Sequence, residues 1–162
     1  MEILPGVLAY DEIDFRKRLL HPGLRAVASM FHVDVLDGSM FNASCWADPK
    51  IIGDWKNLPD IELHCMVQDP VTIAQVWREH VPTLKRVIVH REIRSALPAV
   101  IVKIKKLNVE VVVAVNPRTP VDDIARLPID ALMVIGVEPG ASGQAFLGAT
   151  IISKLKRAQV LS

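Results

Sequence analysis

Cysteine is scarce in this sequence, which contains only Cys45 and Cys65. Two cysteines placed in this way form neither a disulfide framework nor a C-x-x-C metal motif, so we expect a reducing, cytoplasmic setting. Long apolar runs are absent too, since none approaches the roughly 18–20 residues of a membrane-spanning helix. The first residues, Met1–Pro5, lack a basic segment followed by a long apolar core, so no signal peptide is predicted.

An excess of charge of either sign is also missing. The 19 Lys and Arg residues nearly balance the 18 Asp and Glu residues, and the formal net charge is +1. This balance argues against nucleic acids and acidic membranes as main partners. Charge runs and low-complexity tracts are absent, and 51% of the residues are hydrophobic, which excludes a disordered chain. The length then predicts one globular domain over residues 1–162, because a domain holds roughly 100–200 residues.

What the sequence does contain is an alternation of short Val- and Ile-rich runs with longer segments that carry charged faces. Several runs are continuously apolar, as is typical of strands covered on both faces. The predicted strands are Ile3–Ala9, Met30–Asp34, Ile61–Val67, Arg86–His90, Val109–Val115 and Ala131–Val137. The predicted helices are Asp11–Leu20, Pro49–Asn57, Pro70–Glu79, Ala96–Leu107, Pro120–Arg126 and Gly148–Ala158.

This alternation predicts a mostly parallel sheet, either open and doubly wound or closed as a (β/α)₈ barrel. An open sheet that binds a dinucleotide would usually show G-x-G-x-x-G after its first strand, and no such loop is present. Polar residues instead follow the carboxyl ends of several strands, where barrels build their sites. We therefore expect an α/β fold of the (β/α)₈ TIM-barrel type, with about six of its eight units present.

Two strand ends carry polar side chains that share a face. His32 and Asp34 are two residues apart on one predicted strand, and His64 lies on the next. Because neighbouring strands lie about 4.8 Å apart, the three could converge on one divalent metal ion, for which Zn²⁺, Fe²⁺, Mn²⁺ and Co²⁺ are candidates. Alternatively, each histidine is a hydrogen-bonded core residue and Asp34 caps a turn. Burying all three without partners is costly, which favours the metal site.

A Gly-rich loop, Gly140–Gly143, follows the last predicted strand. Backbone N–H groups of a loop before a helix can bind a phosphate. Pro-Gly turns are common, however, and a simple turn is the expectation from this loop alone.

Five segments occur in order along the whole chain: His32–Gly38, Leu63–Pro70, Val89–Glu92, Asn116–Pro120 and Val137–Phe146. Together they resemble the ribulose-phosphate 3-epimerase family, whose patterns at these places are H-V-D-V-M-D-G, V-H-L-M-V-x-x-P, H-x-E, N-P-x-T-P and V-x-P-G-F-G-G-Q-x-F. The resemblance implies a (β/α)₈ isomerase of the pentose phosphate pathway that interconverts D-ribulose 5-phosphate and D-xylulose 5-phosphate.

The resemblance also implies roles for individual residues. Asp34 would remove the proton at C3 of a small phosphorylated sugar, and His32, Asp34 and His64 would hold the metal, which stabilises the resulting enediolate as a Lewis acid. The substrate would contact Gly6, His64, Met66, Gly140, Ala141, Ser142 and Gly143.

The chain departs from the family at several of these positions. Gly6 stands where the family has a serine that contacts the substrate, Leu36 replaces a methionine of the family site, and Ala141-Ser142 replaces Phe-Gly. The family's V-D-G-G strand end, which supplies a second catalytic aspartate and the fourth metal ligand, has no counterpart before Ser162. Two alternatives therefore stay open, a non-catalytic relative that binds a metal or a sugar phosphate, and an epimerase for another phosphorylated ketose.

Six strands would leave two parallel sheet edges with unpaired backbone groups. We expect either that the gene product continues beyond residue 162 or that a partner chain covers the gap, for example in a homo-oligomer. The residues Gln159–Ser162 resemble the start of a seventh strand, which favours continuation.

Three further residues have expected positions. Asp37 is predicted to cap the tight turn at Gly38. Cys65 alternates away from His64, so we expect it between the barrel and a helix. His90 ends a predicted strand and belongs either to the substrate site or to the core.

Overall fold

The computed structural model describes residues 3–124, 126–138 and 143–161, and within them six strands form one sheet. Each strand pairs in parallel with the strand before it, so the spatial order is the chain order, and a helix or helical turn follows each strand. This is a partial barrel of the (β/α)₈ TIM type, as predicted. The strands are β1 (Gly6–Val7), β2 (Met30–Leu36), β3 (Asp60–Met66), β4 (Leu84–His90), β5 (Glu110–Val115) and β6 (Ala131–Val134).

Several helices begin where the sequence provides N-caps. Asp48 and Asp69 each precede a proline, and their side chains accept hydrogen bonds from the backbone N–H groups of Lys50 and Thr72. The helices are α1 (Glu12–Leu19), α2 (Pro22–Arg25), α3 (Pro49–Gly53), α4 (Pro70–His80), α5 (Leu97–Lys105) and α6 (Gly148–Leu161), with a 3₁₀ turn at Asp122–Ile124. Among the residues described, no helix is both long and apolar enough to cross a membrane.

One face of the sheet is apolar and packs against the helices. Phe31, Leu63 and Val113 alternate onto this face from β2, β3 and β5, and all three are completely buried. Trp77 of α4 and Ile101 of α5 belong to the same core. Because this layer covers the outer face of the strands, the opposite face forms the barrel interior, and it carries most of the polar side chains.

In-register pairing aligns these polar side chains across the sheet. His32 on β2 lies opposite Glu62 on β3, Glu62 lies opposite Arg86 on β4, and Arg86 lies opposite Glu110 on β5. Directly paired residues of neighbouring strands project to the same face, so these four side chains form one line, which we call the polar row. Gly6 on β1 pairs with His32 and ends the line without a side chain.

The predicted helix Pro120–Arg126 is wrong, because only the 3₁₀ turn Asp122–Ile124 forms there. In a helix that begins at Pro120, the Thr119 carbonyl would accept the first helical hydrogen bond. That carbonyl instead accepts a hydrogen bond from Lys154 Nζ of α6 at 2.7 Å, and the same ammonium group binds two earlier carbonyls of the loop. The loop before Pro120 is thus held by a distant helix as well as by its own sequence.

Two other expectations also need correction, and one helix was not expected. The residues Gln159–Leu161 continue α6 and do not begin a strand, since a short apolar run has no period that separates helix from strand. Helix α2 was not predicted. The first strand is shorter than the predicted Ile3–Ala9, because Pro5 has no N–H to donate to a strand ladder, although its carbonyl accepts a hydrogen bond from the His32 N–H.

Candidate metal centre

The polar side chains of β2 and β3 meet in the barrel interior, as the spacing of His32, Asp34 and His64 predicts. Asp34 is paired directly with His64 across the two strands, and its Oδ1 lies 2.9 Å from His64 Nδ1. His32 Nε2 lies 3.2 Å from Asp34 Oδ1 and 3.2 Å from His64 Nδ1. One atom from each residue therefore forms a small triangle of potential ligands.

The size of this triangle fits a metal ion. Ligand bonds of about 2.0–2.1 Å in a tetrahedral site imply about 3.3 Å between neighbouring ligand atoms, and an octahedral site implies about 3 Å. The three observed separations of 2.9–3.2 Å fall near these values. Two imidazole nitrogens and one carboxylate oxygen are also the donor types that borderline divalent cations prefer. His32, Asp34 and His64 could therefore hold such an ion.

Both histidines of the triangle have a partner at their second ring nitrogen. Glu62 Oε1 lies 2.6 Å from His32 Nδ1. His90 Nε2 lies 2.9 Å from His64 Nε2, and the two imidazole rings stack with their centroids 5.0 Å apart. His90 is completely buried, and its Nδ1 lies 3.4 Å from Glu92 Oε2. His90 thus belongs to the buried wall of the site, behind His64.

Burial and hydrogen bonding act in opposite directions on the charges of this site. Burial lowers the pKa of His32, but the hydrogen bonds to Asp34 and Glu62 outweigh it and raise this pKa to about 9. Burial raises the pKa of Asp34, but the hydrogen bonds from His32 and His64 hold it well below its usual range. For His64 burial dominates and lowers the pKa to about 4, despite the hydrogen bond to Asp34. Asp34 is thus anionic at neutral pH, beside a neutral His64.

One protein-family model matches nearly the whole chain. The model described as the ribulose-phosphate 3 epimerase family matches residues 2–161. The chain belongs to the ribulose-phosphate 3-epimerase family.

Individual epimerases are similar to it along most of its length. The ribulose-phosphate 3-epimerase of Chlamydia muridarum is 30% identical over 128 residues, which are 76% of this chain and 55% of that protein. The enzyme of the same name from Methanocaldococcus jannaschii is 32% identical over 126 residues, 75% of this chain and 52% of that protein. The one from Bacillus subtilis is 29% identical over 136 residues, 80% of this chain and 61% of that protein. The chain spans about half the length of the curated relatives it matches.

The other expected substrate contacts of this epimerase-family chain lie in different places. Gly6 pairs with His32 on the interior face, and a Cβ added to it would meet nothing within 4 Å. Met66 is buried at the carboxyl end of β3. Gly143 is exposed and has a φ of +75°, a conformation that favours glycine. The remaining predicted phosphate contacts, Gly140, Ala141 and Ser142, lie outside the described residues.

Two structural expectations near the site are confirmed. The Asp37 carboxylate accepts hydrogen bonds from the Ser39 N–H and hydroxyl across a turn in which Gly38 has a φ of +83°. The Ser39 hydroxyl oxygen in turn accepts a hydrogen bond from the Gln68 N–H, which ties the loop after β2 to the loop after β3. Cys65 is completely buried in the core on the helix side, where burial raises the pKa of its thiol.

Two residues beside the candidate ligands, Glu62 and Arg86, were not predicted from the sequence. Glu62 lies two residues before His64, so the alternation that pairs His32 with Asp34 also places Glu62 on the interior face. A carboxylate inside an apolar strand was the available signal, because burying a charge without a partner is costly. Its cationic partner Arg86 could not be identified in this way, since nothing local indicates which residue of the next strand lies opposite.

Proposed function

We propose that this chain contributes the active site of a ribulose-phosphate 3-epimerase, which interconverts D-ribulose 5-phosphate and D-xylulose 5-phosphate by proton transfer at C3. The observation that carries the proposal is the position of Asp34. Its carboxylate lies in the barrel interior at hydrogen-bond distance from two imidazoles, near the carboxyl end of a parallel strand. Hydrogen bonds that hold its pKa low keep it ionised, as a general base must be.

His32, Asp34 and His64 would hold one divalent cation, with Zn²⁺, Fe²⁺, Mn²⁺ and Co²⁺ as candidates. When bound, such an ion supplies a Lewis acid for the negative charge that develops on the substrate oxygens. A carboxylate has two oxygens, so Asp34 could serve as a ligand through one and accept the C3 proton through the other. His64 is buried beneath the site and held by His90, so it would give the substrate a rigid wall.

The loop Gly140–Gly143 would bind the phosphate of the substrate, and Gly6 and Met66 would lie against the sugar. Binding the phosphate away from the reacting carbon would position C3 against Asp34, which raises the effective concentration of the base. The resemblance of Val137–Phe146 to the family pattern supports this assignment.

The test is deuterium exchange in the zinc-loaded protein. D-Ribulose 5-phosphate is incubated in D₂O and followed by proton NMR, with protein stripped of metal by chelation as the control. We expect the C3 proton signal to disappear, because Asp34 returns a solvent deuteron once it has taken the proton. Exchange needs only the base, whereas formation of D-xylulose 5-phosphate also needs an acid on the opposite face of C3, so the two signals report the two half-reactions separately.

Binding of D-ribulose 5-phosphate without any exchange would contradict the proposal and would favour a non-catalytic relative. Exchange that is faster on a phosphorylated ketohexose, measured in parallel, would assign the site to another phosphorylated ketose.

Gly6→Ser is expected to lower the KM for the sugar phosphate by about 2–10-fold, since one neutral hydrogen bond contributes about 0.5–1.5 kcal/mol. The added side chain enters open space on the interior face beside His32, so the fold should tolerate it. Steady-state kinetics of the variant measures the change. Gly6→Ala, which fills the same space without a hydroxyl, is the control and should keep the original KM. Equal effects of the two substitutions would exclude a hydrogen bond from this position.

A further inference from the structure

We propose that Glu62 is a positioning residue that orients His32 as a metal ligand, and that Arg86 holds Glu62 in place. The inference rests on the proposed metal site at His32, Asp34 and His64, and it assigns a role to a side chain outside that set. Glu62 and Arg86 belong to the polar row, which crosses the sheet from Glu110 to His32, a member of the triangle.

The contact between Glu62 and His32 determines which ring nitrogen is free. Glu62 Oε1 lies 2.6 Å from His32 Nδ1, and Glu62 is only 7% exposed. An ionised carboxylate can only accept hydrogen bonds, so the proton must be on Nδ1. The proton that a cation would displace from His32 is therefore the one on Nε2, the atom that lies 3.2 Å from Asp34 Oδ1 and from His64 Nδ1. Glu62 therefore selects the tautomer of His32 that can bind a metal within the triangle.

The orientation of the ring follows from the same contact. A carboxylate behind a ligating histidine holds the imidazole plane and increases its basicity, an arrangement that recurs in metalloproteins. Glu62 and His32 are paired in register on neighbouring strands, so two rigid backbones set the distance between them. Contacts within the protein therefore orient the His32 ring toward Asp34 and His64 without a metal.

The cationic side chain of Arg86 allows the Glu62 carboxylate to remain charged although it is buried. Arg86 Nη1 donates to Glu62 Oε2 at 2.7 Å, while the other oxygen of Glu62 contacts His32. Each oxygen of Glu62 has its own partner, so the carboxylate cannot rotate without losing one of the two hydrogen bonds. Arg86 Nε in turn donates to Glu110 at 2.7 Å, and the Glu110 side chain is largely exposed. The polar row therefore runs from solvent at Glu110 to the ligand triangle at His32.

The rival explanation is that Glu62 and Arg86 form a purely structural ion pair. Such a pair would affect the stability of the fold and leave metal affinity unchanged. The role proposed here affects the affinity and the ligand geometry of the metal, which can be measured without any turnover.

The experiment compares Glu62→Ala, Glu62→Gln and Glu110→Gln with the unaltered chain. Isothermal titration with Zn²⁺ gives the Kd, and the visible absorption of the Co²⁺-loaded protein reports ligand geometry. We expect Glu62→Ala to weaken Zn²⁺ binding about 10–100-fold, the usual effect of removing a partner behind a metal ligand. Glu62→Gln, which is nearly isosteric, keeps one acceptor oxygen that can face the Nδ1 proton of His32, but it loses the charge, and its NH₂ group then faces the Arg86 donor. A neutral hydrogen bond is roughly half as strong as a charge-assisted one, so we expect a loss of about 3–10-fold.

Glu110→Gln is the matched control, because it removes the same charge at the exposed end of the same row. Its Zn²⁺ affinity and Co²⁺ spectrum should equal those of the unaltered chain, whereas both Glu62 variants should shift the Co²⁺ bands. Should Glu62→Ala fail to fold by circular dichroism, the Glu62→Gln comparison decides alone.

Unchanged affinity in the Glu62 variants, with Zn²⁺ still bound by the unaltered chain, would overturn this inference and leave the proposed metal site standing. An equal loss in Glu110→Gln would overturn it as well, since the effect would then be one of general charge. Failure of the unaltered chain to bind Zn²⁺ would overturn the metal site itself and the positioning role with it.

Discussion

Asp34→Asn is expected to reduce proton exchange at C3 of D-ribulose 5-phosphate by about 10²–10⁴-fold, the usual contribution of a general base. The amide that replaces the carboxylate cannot take up a proton at neutral pH. The loss should appear in kcat more than in KM, because the carboxylate acts on the reacting bond and the phosphate is bound elsewhere. Proton NMR in D₂O with the metal in excess measures the exchange rate directly.

Asp60→Asn is the matched control for this substitution. Asp60 begins β3 at the opposite end of the strand from the site and is partly exposed, with Lys85 3.7 Å away. Its loss should leave the exchange rate within about twofold, since a surface ion pair contributes at most about 1 kcal/mol to stability and none to the chemistry. An Asp34→Asn variant that exchanges C3 protons at the original rate would remove Asp34 from the mechanism.

The second large effect concerns the metal. We expect one divalent ion per chain by elemental analysis, and complete loss of that ion when His32 and His64 are both changed to Ala. Asp34 would then be the only member of the triangle left, and a single carboxylate binds divalent cations weakly. Ligand binding at a hundred times the Kd stabilises a fold by about 2.7 kcal/mol, so the rise in Tm that Zn²⁺ produces should vanish as well.

Histidines outside the site provide the control for adventitious binding. His21 caps α2 and His80 ends α4, and neither belongs to the triangle. His21→Ala combined with His80→Ala should retain one ion per chain and the full rise in Tm. A metal-free protein with unaltered C3 exchange would contradict the metal site.

Much of the fold follows from local chemistry. Continuous apolar runs predicted β2–β5 to within a few residues, and the Asp-Pro pairs at 48–49 and 69–70 correctly marked the starts of α3 and α4. The same kind of signal failed at Thr119-Pro120. There Lys154, which is distant in the sequence, binds three carbonyls of the loop before Pro120, and only a 3₁₀ turn follows. A local signal can therefore mark a helix start without securing the helix, because tertiary contacts act on the same segment.

The candidate site was likewise predicted only in part from the local sequence. The sequence by itself determined that His32 and Asp34 share a face once the segment is a strand, because successive side chains of an extended backbone point to opposite sides. It also indicated that His64 lies on the neighbouring strand. That Asp34 Oδ1 meets His64 Nδ1 at 2.9 Å was decided by the tertiary structure, through the in-register pairing of β2 with β3.

The polar row shows most clearly what only the tertiary structure decided. Glu62 is recognisable in the sequence as a charged residue in a buried strand, but its partners His32 and Arg86 lie on two other strands. Which residues face each other depends on the register of the strands, and a slip of one residue would turn each side chain to the other face. Register is set by how the apolar outer face packs against the helices, a property of the whole sheet that no local segment contains. Local alternation therefore supplied the candidate ligands, and the packing of the sheet decided which atoms meet.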